Sequence, residues 1–203
     1  MLGSERQTLR NKLTEYEGNI PHMYLDSKYH VTVGIGHLLP TVAKAQKLPF
    51  IDEKTKKKAT EEEIRADFKT ISKLPRNPDP KKPRPSATFY KPHTKLILTQ
   101  SDIEALRDSH IDSFYRELTS PSLYFTDFDR YPEEVRLALF DMIFNMGMSR
   151  LRTGWPNLNK AIKAQDWQKA AKESYRPGLG LRNEYVKNLF EKAAKHASKN
   201  KKP

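Results

Sequence analysis

The chain reads as an α+β protein, mainly helical, with one small β-hairpin near its N-terminus. Apolar residues recur at three- and four-residue spacing along most of its length, the mark of amphipathic helices. Short start signals of the Ser/Thr-x-x-acid/amide type precede three of those stretches. Only residues 23–26 and 30–35 are short, rich in β-branched or aromatic types, and separated by a polar pair, Ser27-Lys28.

The first helix follows from Ser4-x-x-Gln7, a capping box, with Leu9, Leu13 and Tyr16 on one face. Gly18 is a natural residue to end it, just after Glu17. A carboxylate at a helix C-terminus meets the negative end of the macrodipole, which favours its protonated form. The hairpin comes next, with Asp26 at its turn and Thr32 on the returning strand, while Gly34 and Gly36 signal a bend or a close backbone approach.

Residues 40–93 differ in character. Lys54 to Lys58 form a basic run, and Thr60-x-x-Glu63 opens a helix with Ile64, Phe68 and Ile71 on one face. Pro75 to Pro92 holds six prolines and reads as an irregular, largely solvated loop. Thr99-x-x-Asp102 starts a helix carrying Ile103, Leu106, His110, Ile111 and Phe114, which should end near Pro121. Residues 133–146 are apolar nearly all round and form the strongest core candidate, interrupted by Arg136 and Asp141. Two short helices over 157–164 and 166–174 and a last amphipathic one over 183–197 complete the chain, with a basic, disordered tail at 198–203.

A chain of 203 residues suits one domain or two lobes sharing a core, and its net charge of +12 points to an anionic partner. The absence of cysteine excludes disulfides and thiolate metal sites. The six histidines show no ligand spacing, so no metal is expected, and Gly34-x-Gly36 lacks the third glycine of a phosphate cradle. No nucleic-acid reader motif is present. Residues 1–6 lack the apolar run of a secretory signal, and the richest apolar stretch is broken by charges, so no membrane insertion is expected.

Glu17 and Asp26 are nine residues apart, and Thr32 follows six later. Two carboxylates and a hydroxyl on a turn-rich segment are the parts needed to protonate a glycosidic oxygen and aim a water. The pattern Glu17-Gly18, Tyr24-x-Asp26, Thr32-x-Gly34-x-Gly36-His37 resembles the active-site stretch of the phage-type lysozymes, glycoside hydrolase family 24, in order and spacing. The resemblance implies a two-lobed lysozyme-like fold, with the hairpin in an N-terminal lobe (about 1–97, including a basic insertion at 40–93). A helical C-terminal lobe (about 98–197) and a cleft between the lobes complete that picture.

It also implies roles. Glu17 would be the general acid, Asp26 the base or electrostatic partner, and Thr32 a holder of the attacking water. Inverting hydrolysis asks for carboxyl groups roughly 6.5–9.5 Å apart. Leu38 would contact substrate. Phe144-Asn145-Met146-Gly147 resembles the family's cleft-lining stretch, with Asn145 where Gln is expected, so Phe144 and Asn145 would touch sugar. Trp167, Tyr175 and Arg182 follow the order of its C-terminal region. Tyr175 and Arg182 would also contact substrate, with Arg182 beside Glu17, where a cation opposes the acid role unless substrate displaces or outweighs it. His37 reads as a buried structural histidine rather than a catalytic or metal-binding one, and the position where family members supply its acid partner here offers His110, flanked by Asp108 and Asp112.

The resemblance implies a muramidase without cofactor, acting as a monomer on peptidoglycan strands of a target wall or periplasm, with no nucleic-acid partner. Delivery would need a holin-type lesion, a secretion machine or loss of a parent polypeptide. Lys47-Leu48-Pro49-Phe50, Ala59-Thr60-Glu61 and Asp67-Phe68 look like lysozyme domains of bacterial type VI secretion effectors. An immunity or secretion partner is left open. Residues 40–93 are then either a basic wall-docking lip or a surface insertion serving only solubility. Two rivals remain at this stage: a lytic transglycosylase on the same bond, and a catalytically inert basic wall-binding module.

Overall fold

The computed structural model describes residues 3–74, 85–120, 125 and 127–199, apart from the side chain of Glu17. Part of the proline-rich run (75–84) and the end of the basic tail (200–203) therefore lie outside the described residues. The chain has the α+β, mainly helical class its patterning predicts.

Helix α1 (Gly3–Glu17) buries Leu9 and Leu13. Ser4 already lies within it, with its carbonyl accepting from the Thr8 hydroxyl, and the Gln7 amide donates to Asn11. The expected capping box at its start is thus not formed. A tertiary ion pair acts there instead: the buried Glu5 carboxylate accepts from Arg136 Nε at 2.7 Å. Gly18 ends the helix with φ +74°, a left-handed conformation that suits a residue without Cβ.

Strands β1 (Ile20–Leu25), β2 (Val31–Gly34) and β3 (His37–Leu38) form one antiparallel sheet in that order. The expected hairpin is present, begins three residues earlier than its β-branched pattern suggested, and gains a third strand. Gly34, at φ +67°, lets β2 pass close to the next long helix: a Cβ there would lie 3.5 Å from Ile103 Cγ2.

The next segment holds α2 (Val42–Ala45), β4 (Ile51–Asp52), α3 (Glu61–Lys73), α4 (Ala87–Tyr90), a 3-10 turn (Lys91–His93) and β5 (Leu96–Ile97), which pairs with β4. The Thr60–Glu63 capping box forms in both directions, at 2.7 and 3.2 Å. This region corrects the expectation of a surface insertion. Phe50, Ile71 and Tyr90 are all buried, and α3 and α4 pack on β1. Burying each such side chain contributes about 1.5–3 kcal/mol, so the segment belongs to the core. Residues 87–93 form helical turns rather than an irregular loop and bury Tyr90, while Ser86, Thr88, Phe89, Pro92 and His93 are exposed as expected.

Helix α5 (Gln100–Thr119) starts where Thr99 and Asp102 cap each other reciprocally, both contacts at 3.2 Å. Helix α6 (Glu133–Gly154) breaks its helical dihedrals at Gly147, one residue past the expected end. Helices α7 (Pro156–Lys163), α8 (Trp167–Glu173, capped by Asp166) and α9 (Gly180–Lys199) follow, with α9 packing on α6 and α8. No described helix is long and apolar enough to cross a membrane.

The chain groups into two compact units. The sheet unit is Lys12–Ser109; the helical unit is Met1–Asn11 with His110–Pro203. The divisions fall within α1 and within α5. Ile103 serves the sheet at Gly34, whereas the ring of Phe114 packs on Phe144 of α6.

Candidate functional site

The hairpin positions Asp26. The Asp26 amide donates to the His30 carbonyl at 3.0 Å, and the Tyr29 amide donates to the Asp26 carbonyl at 2.9 Å, closing a three-residue loop. The Asp26 side chain then accepts from the amides of Lys28 (2.7 Å) and His30 (2.9 Å), both at Oδ1. That is an Asx turn, in which a short carboxylate completes its own loop. Oδ2 lies 3.6 Å from His30 Nδ1. One carboxylate oxygen is therefore anchored by the backbone, and the other faces a side chain that is itself exposed.

Tyr29, the third loop residue, has φ +62°. This position favours glycine or asparagine, and a bulky residue there costs about 1–2 kcal/mol.

Thr32 sits directly opposite Tyr24 on one side and Leu38 on the other. Cross-strand partners share a face, so Tyr24, Thr32 and Leu38 belong to one face of the sheet, and Asp26 follows directly on the end of β1. Thr32 is only 2 % exposed, and its hydroxyl donates to the His30 carbonyl at 3.1 Å. That carbonyl is the one that takes the Asp26 amide. The Thr32 hydroxyl proton is thus committed, which leaves its oxygen lone pairs to accept. Leu38 is 45 % exposed, an apolar surface at the sheet margin.

Glu17 is the last residue of α1, separated from β1 by Gly18 and Asn19, and its side chain lies outside the described residues. His37, opposite Val33, is half-buried; burial, and then the Lys44 charge, pull its pKa below the ordinary imidazole value. It is neutral near pH 7.

The remaining candidates lie in the helical unit. Phe144 packs edge-on against Phe114 (centroids 5.5 Å apart) and His110 (5.9 Å). Asn145 is exposed beside the Gly147 break. Tyr175 is 66 % exposed, its carbonyl held by Trp155 Nε1 at 3.2 Å. Arg182 is buried, with Nε 2.8 Å from Asp141 Oδ2.

Sequence reasoning does not reach two residues that build this cluster, Arg176 and Asn183. Arg176 Nη2 reaches the other Asp141 oxygen at 2.8 Å, so one buried carboxylate is shared by two buried guanidinium groups. Asn183 exchanges side-chain hydrogen bonds with the Arg176 amide and carbonyl, at 3.0 and 2.6 Å, and so ties together the loop carrying Tyr175. The available signal was Asp141 itself, a charge in an otherwise apolar helix that demands a cation. Among the described residues no group of three or more His, Cys, Asp or Glu side chains could hold a metal ion.

No family model matches the chain. It is similar to "Probable T4-type lysozyme 1" of Dictyostelium discoideum, at 25 % identity over 166 residues, which covers 82 % of this chain and 81 % of that protein. The matched span is longer than either unit, and the likeness supports a lysozyme-like family.

Proposed function

We propose that the chain is a peptidoglycan hydrolase of the muramidase type, cutting the β-1,4 bond between N-acetylmuramic acid and N-acetylglucosamine. The observation that carries this reading is the hairpin turn, where Asp26 is pinned by two backbone amides and Thr32 is tied to the same His30 carbonyl. The similarity to a T4-type lysozyme supports it independently.

In this mechanism Glu17 gives its proton to the leaving glycosidic oxygen as the bond to the anomeric carbon breaks. Its place at the C-terminus of α1 favours the protonated form, through the negative end of the helix dipole. A water adds at the anomeric carbon, donating one hydrogen bond to the Thr32 oxygen and passing its proton to Asp26. With Oδ1 anchored by amides, Oδ2 is the oxygen that receives it. Leu38, Phe144, Asn145 and Tyr175 are proposed to contact the glycan, whereas Arg182, expected from the resemblance to join them, is buried and paired with Asp141. The net charge of +12 would concentrate the enzyme on an anionic wall. Access to that wall would come through a lesion or a secretion route.

The test is clearing of purified sacculi by the wild type and by Glu17→Gln. Clearing by the wild type, abolished in a folded Glu17→Gln, is the expected result. Equal clearing by both would overturn the proposal.

A further inference from the structure

Beside Asp26 the sheet unit holds a cavity of about 240 Å³. Its lining includes Tyr24, Asp26 and Tyr29 from the hairpin and Pro85, Ala87 and Tyr90 from the segment around α4. Residues 85–90 belong to a stretch whose prolines alone suggest a solvated loop. It is held at both ends of its helical turn. The His22 ring contacts the Ala87 carbonyl through Nε2 at 2.9 Å, and Lys91 pairs with Glu53 at 2.5 Å. His22 is buried, and burial keeps it neutral, so Nε2–H donates to that carbonyl without placing a cation in the wall.

Tyr29 is the second observation. The hairpin holds a tyrosine in a left-handed position that glycine would occupy without strain, and this tyrosine lines the cavity. Strained residues that persist at a site point to a use for the side chain. The combination of aromatic walls, small apolar patches at Pro85 and Ala87, and one carboxylate has a specific chemistry. Aromatic faces stack on the C–H face of a pyranose, an acetamido methyl fits against apolar atoms, and a carboxylate accepts from hydroxyl or amide N–H.

We propose that this cavity is a saccharide subsite for one N-acetylated sugar ring of the glycan strand, on the Asp26 side of the bond that is cut. The proposal rests on the muramidase reading and adds a specificity element built from residues 85–90.

The test uses the full chain, with Tyr29→Gly and Ala87→Phe. Tyr29→Gly removes the aromatic wall and relieves the backbone, so it raises the melting midpoint by roughly 2–4 °C while KM for soluble glycan strands rises roughly tenfold and kcat changes little. Ala87→Phe fills the cavity and raises KM similarly. Binding of an N-acetylglucosamine tetramer, followed by calorimetry, weakens in both variants. A gain in stability from Tyr29→Gly with unchanged KM and tetramer affinity overturns the subsite. A fall in kcat at constant KM also overturns it, since the turn would then serve only to position Asp26. Tetramer binding that is weakened by the variants, in a wild type that cleaves nothing, sinks the muramidase reading and leaves the saccharide site standing.

Discussion

Asp26 and Asp141 are the same residue type in two settings, and the contrast separates a carboxylate that is oriented from one that is locked. Asp141 is 4 % exposed inside α6, with both oxygens taken by the buried guanidinium groups of Arg176 and Arg182. Asp26 keeps a side chain 30 % exposed, with one oxygen on backbone amides and the other near an exposed histidine. Amide anchoring fixes direction without neutralising the charge. Two buried cations fix direction and also consume the group. Chemistry that must deliver or accept a proton belongs to the first arrangement, and the second serves the fold.

The largest effect should come from breaking the locked pair. Asp141→Asn leaves two buried guanidinium groups facing each other without their counter-ion, a loss of about 3–5 kcal/mol measurable by urea denaturation. Retained stability would mean the triad does not hold the helical unit together. At Asp26 the opposite pattern is expected. Asparagine keeps an oxygen for the Lys28 and His30 amides, so Asp26→Asn should unfold like the wild type while sacculus clearing falls roughly 10²–10⁴-fold. A matching loss of stability would erase the distinction between the two aspartates.

A control away from both sites is smaller. Thr60→Ala removes the α3 cap and should cost about 1 kcal/mol in the same denaturation experiment, with clearing unchanged. The smallest effect concerns pH. Burial lowers the His22 pKa below the ordinary value of 6.5, so as pH falls through that value the unfolded chain takes up a proton before the folded one does. Stability should therefore be fully present above pH 6.5 and drop as pH falls from there toward the folded-state value. His22→Gln, whose amide can still donate to Ala87, should flatten that slope in part, because His37 is lowered in the same sense.

Features written in neighbouring residues were readable from the sequence alone. The Thr60 and Thr99 caps, the Gly18 stop and the hairpin each depend on contacts a few residues apart. Ser4 is the exception among the caps: the Glu5–Arg136 pair spans most of the chain, and the helix starts upstream of it. The Asp141 triad joins residues 35 and 41 positions apart, which periodicity does not encode. Tyr29 escaped notice because an aromatic side chain carries no signal for a left-handed turn. Residues 40–93 misled through their lysines and prolines, while the few apolar residues that fill the core, Phe50, Ile71 and Tyr90, are widely spaced among them.

In the proposed mechanism Asp26 and Thr32 aim a water at the anomeric carbon. Digestion of purified sacculi in water carrying a heavy oxygen isotope, followed by mass spectrometry of the released muropeptides, tests it directly. One heavy oxygen is expected at each new reducing end in the wild type, with the amount of that product falling as clearing does in Asp26→Asn. Unlabelled 1,6-anhydro ends as the main product would contradict it, since that reaction adds no water.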